Sequence, residues 1–258
     1  MAPLAPDVAL DGLDAVLFDL DGVLTPTASI HRAAWKEMFD HALATFAGEP
    51  AEVAEFTEQD YLDHVDGKPR QDGVKDFLAS RGITLPLGQP SDPPGTGTVW
   101  ALGNRKNVLF GEILDRDGIA AFPGSLRLVE YLESRGVPMA VVSSSRNARH
   151  VLAAADLTDH FDHIVDGVVG AERGLAGKPA PDAYLLGASE LGVAPDRGAV
   201  LEDALSGVAA GRNGAFGVVI GVDRGAGRQA MLEAGADVVV TDLAELLPRE
   251  MVDVEGSS

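Results

Sequence analysis

The sequence predicts an α/β protein: a mostly parallel sheet covered by helices on both faces, interrupted after its first strand by an all-helical insertion. Three observations carry that expectation. An apolar run typical of a buried strand, Ala15-Val16-Leu17-Phe18, stands near the start. A helical stretch without strands follows it. After Pro123-Gly124, helical and β-branched apolar segments alternate to the end of the chain, as parallel strands joined by crossover helices require.

Taken in order, the first strand ends in Asp19-Leu20-Asp21-Gly22-Val23, two carboxylates one residue apart. From Ala28 to Phe46 apolar residues recur at helical spacing (Ile30, Ala34, Trp35, Met38, Ala42, Phe46), and shorter helical segments reach Arg81. Gly82 to Gly97 is rich in Pro and Gly and reads as a long surface loop, with a further helix around Asn104 to Leu114. The alternation then pairs helix with strand: Leu126 to Glu133 with Met139 to Val142, Ala148 to Ala155 with His163 to Val165, and Asp182 to Leu191 with Ala199 to Leu201. Leu205 to Arg212 with Val218 to Val222, and Met231 to Ala234 with Val238 to Val240, complete it. The first strand belongs with this C-terminal part. The expected domains are a core of residues 1–27 and 118–258 and a helical cap of residues 28–117, inserted where it is able to lie over the acidic strand tip.

Composition narrows the function. With 258 residues and 46% hydrophobic content the chain has the make-up of a globular α/β protein rather than a disordered one. The absence of cysteine removes disulfides, thiolate metal sites and cysteine nucleophiles together. Forty Asp+Glu against 20 Lys+Arg give a formal net charge of −20, which repels nucleic acid and anionic membranes. Met1 to Leu13 has no basic region or long apolar core, so neither a signal peptide nor a membrane anchor is expected, and the cytoplasm is the expected compartment.

The acidic pair at a strand tip points to metal-dependent phosphoryl chemistry, with a solvated Asp-Gly turn as the plain alternative that later segments must decide. Ligands of open α/β sheets gather at the carboxyl ends of the strands, and buried carboxylates need a compensating cation, for which Mg²⁺ is the natural partner. Three later boundaries add complementary groups. Val141-Val142 runs into Ser143-Ser144-Ser145-Arg146-Asn147, whose hydroxyls and N–H groups form an anion site, or an ordinary serine helix cap. Gly177-Lys178-Pro179 sets one lysine in a turn before a helix, as a fixed cation or a solvated loop residue. Val200-Leu201-Glu202-Asp203 ends another strand in adjacent carboxylates, as a complement to the acidic pair or an exposed acidic helix start favoured by the helix dipole.

In this order and at these boundaries, the four segments resemble the motif set of the haloacid dehalogenase superfamily of phosphotransferases over about residues 14 to 243. The resemblance implies a Rossmann-like core, Mg²⁺ and an aspartyl-phosphate intermediate. The inserted segment is similar to the cap of the β-phosphoglucomutase family. Thr27, His31 and Trp35 stand at the spacing of that family's cap start, Gly67-Lys68-Pro69-Arg70 resembles its substrate-phosphate loop, and Asn104-Arg105-Lys106-Asn107 resembles a further cap motif. Read from the residues alone, His31 and Trp35 could simply pack on one helix face, and Lys106 could lie on a solvated one.

The resemblance implies Asp19 as nucleophile, Asp21 as general acid/base, and Thr27 and Lys178 as further catalytic residues. It gives substrate binding to His31, Trp35, Gly67, Arg70 and Lys106, together with Ser143, Ser144, Ser145, Arg146 and Asn147. Mg²⁺ would be held by Asp19, Asp21 through its main-chain oxygen, and Asp203, with Glu202 beside them. The implied activity interconverts β-D-glucose 1-phosphate and glucose 6-phosphate, with glucose 1,6-bisphosphate as activating intermediate. The alternatives are a Mg-dependent sugar-phosphate phosphatase and a non-catalytic sugar-phosphate-binding module. The expected partner is a small sugar phosphate, with no nucleic acid or membrane, and the chain is expected to be a monomer.

Overall fold

Ala15, Val16, Leu17 and Phe18 are all buried, as a strand covered on both faces requires. In the computed structural model, which describes residues 5, 9–47, 54–65 and 68–248, they form β1 (Ala15–Phe18). The chain then builds α1 (Ala28–Ala47), α2 (Glu58–His64), α3 (Arg70–Ser80) and α4 (Val99–Asp117). It continues through α5 (Pro123–Ser134), β2 (Met139–Val142), α6 (Ala148–Ala154), β3 (His163–Val165), α7 (Gly167–Arg173) and α8 (Asp182–Glu190). Then come β4 (Gly198–Glu202), α9 (Leu205–Asn213), β5 (Val218–Val222), α10 (Arg228–Ala234) and β6 (Val238–Val240). Two compact units result: Met1–Pro26 with Ile119–Ser258, and Thr27–Gly118.

The larger unit is a six-stranded sheet in the order β3-β2-β1-β4-β5-β6, parallel at every pairing. β1 lies between β2 and β4, with Leu17 in register with Ala140 on one side and Val200 on the other. From β1 the chain steps outward to β2 and β3, then returns to lay β4 on the opposite side of β1. That reversal opens a crevice outside the carboxyl ends of β1 and β4, where α/β sheets bind ligands. One face of the sheet is sealed by a core that includes Leu17, Val142, Tyr184, Val200, Val208 and Val219.

The smaller unit is all helical. α1 buries Ile30, Ala34, Trp35, Met38, Phe39, Ala42 and Leu43, an apolar stripe at helical spacing. Its core is aromatic: Phe39, Phe56 and Phe77 lie with ring centroids 4.2 to 4.9 Å apart, and Trp35 stacks on Phe39 at 5.3 Å. Such offset and edge contacts add to the burial of the rings.

Two elements differ from the sequence expectation. α4 begins at Val99 rather than near Asn104, because Thr98 caps it by accepting from the Ala101 N–H at 3.0 Å, while Val99 and Trp100 N–H donate to Pro86 and Leu87. The Pro/Gly segment before it is held firmly: Asp92 accepts from the Thr98 hydroxyl at 2.6 Å, and Asn104 Nδ2 donates to the Asp92 carbonyl at 2.8 Å. α7 has no counterpart in the expected pattern. It is a short helix defined by its Asp166 cap, whose Oδ1 accepts from Val168 and Val169 N–H at 2.9 Å each.

Candidate active site

Four segments of the larger unit converge at the crevice. Asp19 follows β1 directly and is anchored by its N–H to the Leu201 carbonyl at 2.9 Å, which ties the nucleophile candidate to β4. Lys178, in the turn before α8 and preceding a cis Lys178–Pro179 bond, donates to Asp19 Oδ1 at 2.5 Å and also to Glu202 Oε1. Glu202 ends β4 and is buried. Its Oε1 also accepts from the Tyr184 hydroxyl at 3.1 Å, and its Oε2 from the Ala204 N–H at 2.9 Å. Ser143 follows β2; it is buried, with its N–H on the Val165 carbonyl at 3.0 Å and its Oγ accepting from Ser145 N–H.

Glycine makes room for the carboxylates. Gly22 has φ +79, a conformation that L side chains rarely adopt, and a Cβ there would overlap the Asp203 carboxylate. A Cβ at Gly207 would overlap the Glu202 carboxylate. The two acids that close β4 are therefore each seated against a position where only glycine fits.

Electrostatics show a site short of positive charge. Burial pushes the Asp19 carboxyl well above its usual range, the Glu202 and Asp21 charges push the same way, and Lys178 opposes them without prevailing. Asp203 is raised to about 7, first by burial and then by Glu202 and Asp21. Burial works against the Lys178 charge, but Asp19 and Glu202 outweigh it, so the ammonium is held protonated. One oxygen from each of Asp19, Glu202 and Asp203 lies within 4.8 Å of the others. An all-oxygen, acid-rich cluster, in which burial raises Asp19 and Asp203, is a donor set suited to a hard divalent cation such as Mg²⁺. The Asp21 carboxylate, half-buried, is not part of this trio; its backbone is held in a bridge to Thr25.

The remaining candidates of the larger unit lie in the loop after β2. Ser145 Oγ accepts from Asn147 N–H at 3.1 Å and its carbonyl from Gly167 N–H at 3.0 Å, so part of the serine run forms a turn leading into α6, whose cap position Asn147 carries no side-chain cap bond. Ser144 and Arg146 are exposed.

The smaller unit holds a second cluster, described by itself. Lys106 is 4% exposed and lies over the Phe110 and Trp35 rings at 5.1 and 5.6 Å, with its Nζ 2.6 Å from His31 Nδ1. The solvated-face reading of Lys106 is thereby overturned: α1 and the aromatic rings enclose it. Burial, then the Lys106 and Arg70 charges, lower the His31 pKa to about 3, so the imidazole is neutral and accepts from the lysine. Arg70 donates to Asn107 Oδ1 at 3.4 Å and to the Gly103 carbonyl at 3.5 Å. Thr27 is buried and its carbonyl accepts from His31 N–H. Gly67 lies outside the described residues; Lys68 beside it is ion-paired with Asp76.

Sequence reasoning missed Tyr184. It reads as one more apolar position of α8, yet it is the largest fully buried side chain with a polar tip, and that tip meets Glu202. A tyrosine in the first turn of the helix that follows the candidate cation was the available signal.

Comparison with known proteins agrees with this geometry. A family model described as haloacid dehalogenase-like hydrolase matches residues 13–214. A β-phosphoglucomutase of Mycobacterium bovis is 54% identical over 238 residues, covering 90% of this chain and 91% of the relative. One from Bacillus subtilis is 32% identical over 238 residues, 91% of this chain and 92% of its own. The crystal structure of a putative β-phosphoglucomutase from Thermotoga maritima superposes with a TM-score of 0.72 at 25% identity, covering 94% of this chain and 100% of that one. With its nucleophile candidate at the tip of the central strand and its lysine and acids on the neighbouring segments, the chain belongs to the haloacid dehalogenase-like hydrolase family, in the β-phosphoglucomutase group.

Proposed function

We propose that the chain is a β-phosphoglucomutase, interconverting β-D-glucose 1-phosphate and glucose 6-phosphate by way of an aspartyl-phosphate and glucose 1,6-bisphosphate. The observation that carries this is the buried Asp19 at the β1 tip, ion-paired to Lys178 at 2.5 Å, in a chain 54% identical to a β-phosphoglucomutase.

Asp19 is the nucleophile: its carboxylate forms the new O–P bond as the ester P–O bond to the sugar breaks. Lys178 holds Oδ1 and so fixes the plane of that carboxylate. It also keeps a positive charge where the equatorial phosphoryl oxygens gain charge. Mg²⁺ would be held by Asp19, Asp203, the main-chain oxygen of Asp21 and the neighbouring Glu202, and when bound would supply two positive charges against the phosphoryl group. Asp21 gives its proton to the leaving sugar oxygen. In the return half it takes the proton from the other hydroxyl, whose oxygen then attacks the aspartyl-phosphate. Ser143 and nearby N–H groups donate to the remaining phosphoryl oxygens.

The cationic cluster of Arg70 and Lys106 suits the distal, non-reacting phosphate. Neutral His31 and the Trp35 ring would line the place of the sugar. The required partner is a small sugar phosphate; a monomer in the cytoplasm suffices for it. Among the described residues no helix is long and apolar enough to cross a membrane.

The test is a coupled assay with Mg²⁺, β-glucose 1-phosphate and catalytic glucose 1,6-bisphosphate, following glucose 6-phosphate and free phosphate together. Glucose 6-phosphate without free phosphate is expected. Release of phosphate alone would replace the mutase by a sugar-phosphate phosphatase, and silence in both channels would refute the sugar. Arg70→Ala is expected to lower mutase turnover about 10- to 100-fold, the worth of one charge-assisted hydrogen bond to phosphate. Hydrolysis of a small ester such as p-nitrophenyl phosphate should fall much less, and equal losses would refute the distal-phosphate role.

A further inference from the structure

The turn that carries Asp21 is closed by main-chain bonds. Leu24 and Thr25 N–H donate to the Leu20 carbonyl at 2.9 and 3.1 Å, and Gly22 N–H to the Thr25 carbonyl at 2.8 Å. Neighbouring chain holds its outward carbonyls: Ser125 Oγ donates to Val23 at 2.7 Å, and Phe122 N–H to Leu24 at 2.9 Å. The Gly22 carbonyl is held from much further along the sequence. Arg224, exposed in the loop after β5, donates to it through Nε at 2.8 Å. The same guanidinium donates through Nη1 to the Thr241 carbonyl at 3.0 Å and lies 4.0 Å over the Phe122 ring centroid.

This geometry is specific to an arginine. Its planar fork satisfies two carbonyls while its face stacks on a ring, and a lysine point charge reproduces neither the second bond nor the stacking. The position it holds is also the softest in the turn. Gly22 has no side chain to restrain its torsions, none can be added because of Asp203, and its φ is +79. With the Val23 and Leu24 carbonyls held from outside, a change in the Gly22 torsions would shift the preceding Asp21 relative to Asp19 and Asp203, the two carboxyls its charge acts on.

We propose that Arg224 is a positioning residue for Asp21: by clamping the Gly22 carbonyl to Thr241 and Phe122, it keeps the acid–base carboxylate in register with the nucleophile. This rests on the reading of Asp21 as the acid–base group. Arg224 meets the Gly22 and Thr241 carbonyls and the Phe122 ring rather than a carboxylate of the site, and it acts through the turn.

A double-mutant cycle on the full chain tests it, with consumption of β-glucose 1-phosphate as the readout and melting temperature measured beside it. R224A is expected to lower kcat by about 10- to 100-fold, the scale of a small misplacement of a catalytic group, with KM changed by less than about twofold. R224K should recover only part of that loss. In the D21N background the same R224A change should cost less than about twofold, because the group it positions is gone, while the shift in melting temperature is alike in both backgrounds. An equal fractional loss in both backgrounds would mean a merely structural role and overturn the proposal. So would no loss in R224A, or full activity in R224K. D21N turning over substrate like the unmodified chain would instead refute the acid–base reading of Asp21, and this proposal with it.

Discussion

Asp19→Asn is expected to abolish turnover, by about 10⁴-fold or more, since an amide cannot form the covalent intermediate. The same change should not destabilise the protein. Asp19 is buried, and burial holds its folded pKa well above the usual carboxylate range. A carboxyl raised in this way contributes its stability below the unfolded pKa and loses it as pH rises toward the folded value. At neutral pH and without divalent cation it is therefore a burden on the fold, which a neutral amide removes. The melting temperature of Asp19→Asn under those conditions should equal or exceed that of the unmodified chain. Activity within tenfold of the original would sink the nucleophile assignment, and a marked fall in melting temperature would sink the electrostatic account.

Lys178→Met makes the opposite trade. The methionine keeps most of the length and loses the charge, leaving Asp19, Glu202 and Asp203 clustered with no ammonium between them. Removing one partner of a buried ion pair costs about 3–5 kcal/mol, which in a chain of this size lowers the melting temperature by roughly 10 °C. Turnover should fall about 10²- to 10³-fold, as when one preorganised donor to a charged transition state is deleted. Mg²⁺ should raise the melting temperature of this variant more than that of the unmodified chain, because it would then be the sole cation among three carboxyls, and it should not restore turnover. A Mg²⁺ response equal in both proteins would count against the acidic trio as the metal's seat.

Much of this arrangement is legible in the sequence. β2, β5 and β6 fall where the apolar runs stand, because strands buried on both faces leave little room for polar residues, and β3, an edge strand that opens with a partly exposed His163, falls where its short β-branched run stands. Asp19, Lys178, Glu202 and Asp203 were legible as strand-end and turn residues, and the sheet order brings them together. The start of α4 and the existence of α7 were not, since each is decided by one capping side chain, Thr98 or Asp166, rather than by periodicity. The enclosure of Lys106, for which a solvated face stood open as an alternative, and the role of Tyr184 escaped the sequence for a related reason. Periodicity says which face of a helix a residue occupies, and only tertiary contacts say that the lysine is enclosed by rings or that the tyrosine's hydroxyl finds a carboxylate. Arg224 was invisible, because the carbonyl it holds belongs to a residue 202 positions away.

The placement of β1 has a consequence for how the chain comes to its fold. Val16 pairs with Met139 and Ala199, both more than a hundred residues further along. During synthesis the central strand therefore emerges long before either neighbour exists, while Thr27–Gly118, contiguous in sequence, has all its own partners at hand. An apolar segment waiting unpaired is a hazard for self-association, and flanking charge is the usual protection. Here Asp11 and Asp14 precede the strand and Asp19 and Asp21 follow it. Until Arg197 arrives to pair with Asp14 and Lys178 with Asp19, like charges stand at both ends of a strand without a sheet, the arrangement that discourages self-association.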